Sequence, residues 1–256
     1  MHSQPIAERS DFDMSDNLYE TTKLVDEYLL FHYGRSHEIL PPEAPEGMAA
    51  ALDFAVRTQA RFDSEEVERG LDLGCAVGRS AYEMSQHCRR VIGIDFSHAF
   101  IDVAEKIATG PLAYKRTDEA HLTTPLDAVM PTDARPERVT FEVGDAMHLR
   151  DDLGSFERVH AANLICRLTH PQRLLDRLPD LVVPNGELII TTPCTWLGEF
   201  TPPENWPTGP TLDWLKSSLD ASFSLVAHHD EPFLIRETAR KFQWTRAQLS
   251  YWKRRS

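Results

Sequence analysis

The chain has 256 residues, 41% of them hydrophobic and 26% charged. That is the make-up of an ordinary globular protein, long enough to bury a substantial core. The net charge of −13 weighs against a nucleic-acid substrate, because a protein that grips phosphates needs a basic surface.

Residues 1–14 are polar and read as a flexible leader without the apolar core of a signal peptide. No stretch approaches the roughly 20 apolar residues of a membrane span. From 16 to 33 apolar residues recur at helical spacing, with Ser15 or Asp16 as the expected cap and Gly34 as the stop. A proline-rich break follows, then a second helix over 46–62.

Strands and helices then alternate. Strands are expected at 70–73, 90–94, 139–143, 156–162 and 187–191, with helices at 80–88, 99–108 and 171–178. This rhythm predicts an α/β fold: a doubly wound, mostly parallel sheet with helices on both faces. Residues 110–137 interrupt it, polar and too long for an ordinary connection, and read as an insertion or lid. The tail carries a helix at 212–219 and strands at 223–227 and 238–244, which make the sheet mixed. One domain covers 15–256: a helical cap (15–66), a core (67–195) and a substrate-side segment (196–256).

The sharpest local signal is the run from Leu71 to Arg79. An apolar strand enters a turn at Gly74-Cys75 and leaves it at Gly78 into a helix. Gly74 permits a tight turn and Gly78 a close helix start. The spacing is G-x-x-x-G, not the G-x-G-x-x-G of dinucleotide enzymes, which disfavours a dehydrogenase. Asp72 repels a pyrophosphate but attracts a cofactor bearing an amino group and a sulfonium. Asp95 ends the next strand, where a carboxylate reaches ribose hydroxyls, and Phe96 follows it. Asp145 follows the third strand, where it can accept from an adenine amino group with Ala146 or Met147 against the ring. Each acid also has a plainer reading, as a cap or an ion-pair partner. In order, they converge on one crevice at the strand ends.

This triplet resembles the class I S-adenosylmethionine-dependent methyltransferases over residues 69–192. The resemblance implies S-adenosylmethionine as cofactor, bound by Asp72, Gly74, Cys75, Gly78, Asp95, Phe96, Asp145, Ala146 and Asn163. Ala76 departs from the pattern, standing where many members carry a third glycine.

Substrate candidates lie at the strand ends and in the flanking segments. Tyr28, Phe31 and His32 sit in an aromatic-rich helix, either lining a pocket or docking that helix. Asn163 follows the fourth strand beside the expected methyl group, with Arg167 just beyond it. Cys194 and Trp196 follow the fifth strand. Trp196 can wall a flat ring or be core. Arg236 or Arg240 can clamp a substrate carboxylate or decorate a solvated strand face.

The runs 28–34, 71–80, 92–101, 161–164, 233–237 and 241–244 resemble the methyltransferase domain of ovothiol biosynthesis. The resemblance implies N-methylation of the imidazole of 5-thiohistidine by a freestanding version of that domain. It also implies a separate chalcogen-installing enzyme as a pathway partner. Cys194 departs from it, where an aromatic is expected, and leaves room for a selenium analogue. Asn163, Tyr28 and His32 are the expected catalytic residues: Asn163 hydrogen-bonds the ring, Tyr28 closes the pocket and His32 accepts a proton. Methylation of another small amine or acid, or a non-catalytic cofactor-binding subunit, are the rival readings. No metal or membrane partner is expected, the chain is read as a monomer or dimer, and its four cysteines read as reduced thiols in the cytoplasm.

Overall fold

The computed structural model describes residues 18–256, so the expected leader and the Ser15 or Asp16 cap lie outside the described residues. Helix α1 (Thr22–Tyr33) starts instead at Thr21, whose hydroxyl accepts from the Leu24 N–H at 3.4 Å. Gly34 ends it, as expected, with an ordinary φ of −65°. A Cβ there would lie 2.4 Å from the Leu30 carbonyl oxygen, so close packing is what demands the glycine. Short helices α2 (Ser36–Ile39), α3 (Glu46–Ala49) and α4 (Phe54–Gln59) follow. The single helix expected over 46–62 is thus broken, at Asp53, whose φ is +55°.

The core then runs β1 (Val67–Leu73), α5 (Arg79–Met84), β2 (Cys88–Asp95) and α6 (His98–Ile107). Next come β3 (Leu112–Glu119), β4 (Leu122–Ala128), β5 (Val139–Val143), β6 (Phe156–Ala162), α7 (Pro171–Leu181) and β7 (Val182–Thr192). Helix α8 (Thr211–Leu219) leads to the long pair β8 (Phe223–Arg236) and β9 (Phe242–Arg254). The tail strands are longer than expected, and residues 238–241 form the turn between them rather than a strand start.

Seven strands make one sheet in the order β5-β2-β1-β6-β7-β9-β8. The first five are parallel, and β9 and β8 close it antiparallel. This is the doubly wound, Rossmann-like methyltransferase fold. The strand order reverses between β1 and β6, where open α/β sheets bind ligands. The expected insertion is an antiparallel hairpin, β3 with β4, outside the main sheet. Leu71, Val159, Leu188 and Trp252 lie wholly buried in the sheet core. Among the described residues no helix is long and apolar enough to cross a membrane.

Candidate active site

The turn after β1 is held by the neighbouring strand. The Gly74 and Cys75 N–H groups both donate to the Ile94 carbonyl, at 2.8 and 3.1 Å. Gly74, Ala76 and Gly78 all have positive φ, at +68°, +47° and +83°. At Gly78 a Cβ would meet Phe141 at 2.8 Å and Ala104 at 2.9 Å, so the glycine also lets α6 and β5 close on the turn. Ala76 adopts the left-handed conformation without a glycine's freedom, a strain of about 1–2 kcal/mol. Cys75 differs from its expected role. Its side chain is buried and its carbonyl accepts from Gly78, so it shapes the turn rather than presenting its thiol to a ligand.

The acids divide. Asp95 accepts from the Ala76 N–H at 2.8 Å and the Ser97 N–H at 2.9 Å. Burial raises its carboxyl to about 6; the two backbone hydrogen bonds oppose the shift and the nearby Asp72 and Glu20 add to it. Phe96 beside it is 43% exposed. Asp145 folds back on its own turn, accepting from Met147 N–H and meeting His148 Nδ1, both at 2.8 Å. Ala146 is buried. Asp72 corrects the expectation that it faces the cofactor directly. It is wholly buried, its Oδ1 lies 2.8 Å from His160 Nδ1, and His160 Nε2 lies 3.2 Å from the Thr58 hydroxyl. Asp72 acts from behind the turn, with Oδ2 buried and without a partner.

The N-terminal segment closes over these turns. Glu20 accepts from the first N–H groups of α6, His98 and Ala99, at 2.9 and 3.1 Å. The Tyr33 hydroxyl donates to the Val77 carbonyl at 2.8 Å, and Arg79 donates to the His32 carbonyl at 2.8 Å. Tyr28 stacks on His32 and packs against Phe100, with centroids 5.9 and 4.7 Å apart. Tyr19 lies edge-on to Phe100 at 5.9 Å and tilts against Phe200 at 6.3 Å. Burial lowers the His32 imidazole to about 3, helped by the Arg79 charge. It is therefore neutral, and a poor fit for the proton acceptor expected of it. Tyr19 and Glu20 escaped the sequence reading, because their partners lie about 78 residues further on.

Asn163 leaves β6 with φ +54°, and its Oδ1 accepts from the Thr191 hydroxyl at 3.1 Å. Arg167 lies one short turn later, with its guanidinium 4.8 Å over the Phe200 ring. Cys194, after β7, is exposed at φ +56°, while Cys75, Cys88 and Cys166 are buried.

A family model described as a methyltransferase domain matches residues 43–248. The chain belongs to the methyltransferase domain family. S-Adenosylmethionine is the cofactor of such enzymes. Among solved structures, the methyltransferase is similar to the N-methyltransferase NodS of Bradyrhizobium japonicum WM9. The two are 14% identical, with a TM-score of 0.53 over 79% of this chain and 93% of that one. NodS with S-adenosyl-l-homocysteine matches at 14% identity and a TM-score of 0.51, over 91% and 99% of the chains. The cyclase SpnF matches at 20% identity and a TM-score of 0.55, over 84% and 74%. These likenesses show a shared fold. No curated protein matches the sequence.

Two further candidates are structural in this methyltransferase. Trp196 donates to the Thr211 hydroxyl at 3.1 Å and packs edge-on to Trp214 at 5.8 Å, against the sheet core. Arg236 is buried, not on a solvated strand face. It donates to the Glu38 and Ile39 carbonyls at 3.1 and 3.0 Å and pairs with Asp118 at 3.0 Å. It fastens the β3–β4 hairpin and α2 to β8, which removes it as a carboxylate clamp.

Proposed function

We propose that this methyltransferase methylates an imidazole nitrogen of a thiol- or selenol-bearing histidine derivative, as in ovothiol- or ovoselenol-type biosynthesis. The contact between two distant motif runs carries the reading. Residues 28–34 and 233–244 both resemble the ovothiol methyltransferase domain. In the fold Phe31 packs against Phe233 at 6.0 Å and Phe54 at 6.3 Å. The two runs meet in one aromatic cluster with Phe54, and its half-buried member, Phe31, is suited to back a flat azole ring. Four free thiols suit a reducing compartment such as the cytoplasm.

The residues present fit S-adenosylmethionine. The left-handed Gly74 and Gly78 keep Cβ atoms off both ends of the turn, and the Asp95 carboxylate suits ribose hydroxyls. Phe96 and Ala146 would flank the adenine, with Asp145 at its edge. Asp72 holds the turn from inside. When bound, the cofactor supplies an electrophilic methyl group on a sulfonium.

The chain's own task is then orientation. In-line attack needs the nucleophile about 3 Å from the methyl carbon. A thiolate is a better nucleophile than a ring nitrogen, so the site has to present the ring edge. Thr191 fixes the Asn163 oxygen, which leaves the amide nitrogen to donate to the substrate. Neutral His32, stacked on Tyr28, accepts a hydrogen bond from a ring N–H rather than storing its proton. Tyr28 and Phe31 exclude water, and the exposed Cys194 leaves space beside the chalcogen.

The test is calorimetric titration of the protein loaded with S-adenosylhomocysteine, using 5-thiohistidine and its selenium analogue. Mass spectrometry then locates the methyl group after turnover with S-adenosylmethionine. Binding of one derivative with N-methylation is expected. Turnover of unrelated amines or acids, with both histidine derivatives inert, would remove this substrate and leave the methyltransferase.

A further inference from the structure

We propose that Arg167, with Tyr19, is a specificity clamp for a carboxylate on the substrate, so that the enzyme selects amino acids over their decarboxylated amines. The inference rests on the methyltransferase site proposed above and names the substrate group that site reads.

Arg167 stands at the end of the short turn that follows β6 and Asn163. Its Nη1 donates to the Cys166 carbonyl at 3.1 Å and the Thr195 carbonyl at 3.2 Å, tying the loops after β6 and β7 together. Phe200 supports the guanidinium face. A guanidinium has five donors in a planar fork. The backbone contacts, and one to Cys166 Sγ at 3.4 Å, all fall on Nη1, and the Tyr19 phenol lies beside the same guanidinium.

Charge matching and position together single this arginine out. Arg57 pairs with Glu231, Arg79 with Glu83, Arg158 with Glu187 and Arg236 with Asp118. Among the described residues no carboxylate pairs with Arg167, nor with Arg69 or Arg254, which lie over Phe156 and Phe223 and each donate to two backbone carbonyls. Of these three, Arg167 stands after β6 beside Asn163, and a partly buried guanidinium without an acid at that strand end is placed to receive one. The charges of Asp95 and Arg167 both act on Tyr19 and on Tyr28, so these four groups share one mouth. Asp95 takes the cofactor side of it. Arg167 lies on the Asn163 side, where the substrate has to enter. One planar fork suits a carboxylate, whereas a phosphate commonly recruits several cations.

The experiment compares each acid with its own amine, using the full chain: 5-thiohistidine against its decarboxylated amine, histidine against histamine, and glycine against methylamine. Each is titrated into protein loaded with S-adenosylhomocysteine, and KM and kcat are measured where turnover occurs. The wild type is expected to prefer the acid by about 10- to 100-fold. Arg167→Gln should erase that preference by raising the Kd or KM of the acid alone, with kcat and S-adenosylmethionine affinity within a few-fold. Arg167→Lys should restore part of it and Tyr19→Phe should weaken it. The proposal is overturned if the wild type shows no acid preference, or if Arg167→Gln keeps it. It is equally overturned if the variant loses cofactor affinity by the same factor, which would assign Arg167 to the cofactor. Should Arg167→Gln fail to fold, the wild-type ratio and the lysine variant decide. Acid preference in the other pairs with the thiohistidines inert would sink the proposed substrate and keep the clamp. Thiohistidine turnover with no acid preference would do the reverse.

Discussion

The Asp95 carboxylate accepts the Ala76 N–H at 2.8 Å, so the end of β2 holds the turn that follows β1. The same carboxylate is the group best placed for a ribose. One acid therefore joins the shape of the turn to the occupancy of the crevice.

Its titration gives the first prediction. Burial raises the free carboxyl from 3.8 to about 6. Ribose hydroxyls donate to the ionised form, so cofactor affinity should be full above pH 6 and fall about tenfold per unit below it, until the pKa of the complex is reached. Fold stability runs the other way. A raised acid pKa means that the folded state keeps its proton longer, so this contribution is present below 3.8 and lost as pH rises through 6. Titration calorimetry from pH 5 to 8 reads the affinity, and Asp95→Asn should flatten its slope.

The glycine turn gives the second. Ala76→Gly relieves left-handed strain and should stabilise the protein by about 1 kcal/mol. Gly78→Ala adds both strain and a clash with Phe141 and Ala104, and should cost about 2–4 kcal/mol and cofactor binding. Thermal melts with and without S-adenosylmethionine distinguish them. A more stable Gly78→Ala would contradict the packing described.

Asn163 separates backbone from side chain. Asn163→Gly keeps the left-handed turn at little cost, whereas Asn163→Ala should lose about 1 kcal/mol. Both lack the amide, so both should lose turnover by about tenfold or more, as for a lost positioning hydrogen bond. Turnover that tracks stability instead would make the residue merely structural.

His32 and Arg236 are expected to behave unlike a base and a clamp. With His32 held neutral by a pKa of about 3, the pH–rate profile between 6 and 8 should carry no inflection from it. His32→Asn should cost only a few-fold, against the about 10²–10⁴ of a general base. Arg236→Met should lower stability by about 1–2 kcal/mol, by removing its bonds to the Glu38 and Ile39 carbonyls and the part-exposed pair with Asp118, and leave the KM of the folded protein unchanged.

The sheet was legible where apolar runs end in glycine or acid. Strands β5 and β6 match the residues read from sequence, because each carries β-branched and aromatic residues and has a turn residue behind it. The hairpin was not, because β3 and β4 are polar, one-sided and interrupted by Pro125. The cofactor turn was legible since its requirements are local: positive φ, close approach and an acid at each strand end. The walls of the mouth were not. Arg167 was read from its place after Asn163, but Tyr19 and Glu20 owe their positions to contacts about 78 residues away. Asp72 and Arg236 look from sequence like free charges, yet inside the fold Asp72 meets His160, and Arg236 meets Asp118 and two carbonyls, with Asp72 Oδ2 and Arg236 Nε left unpartnered.

The uneven exposure of the cysteines has a practical side. Three thiols are shielded within the fold, and Cys194 stands exposed after β7. An alkylating dye added to the native protein has one address, and that address adjoins the substrate loop. The wild-type enzyme thus comes with its own labelling position, from which ligand entry can be watched by fluorescence without altering a residue.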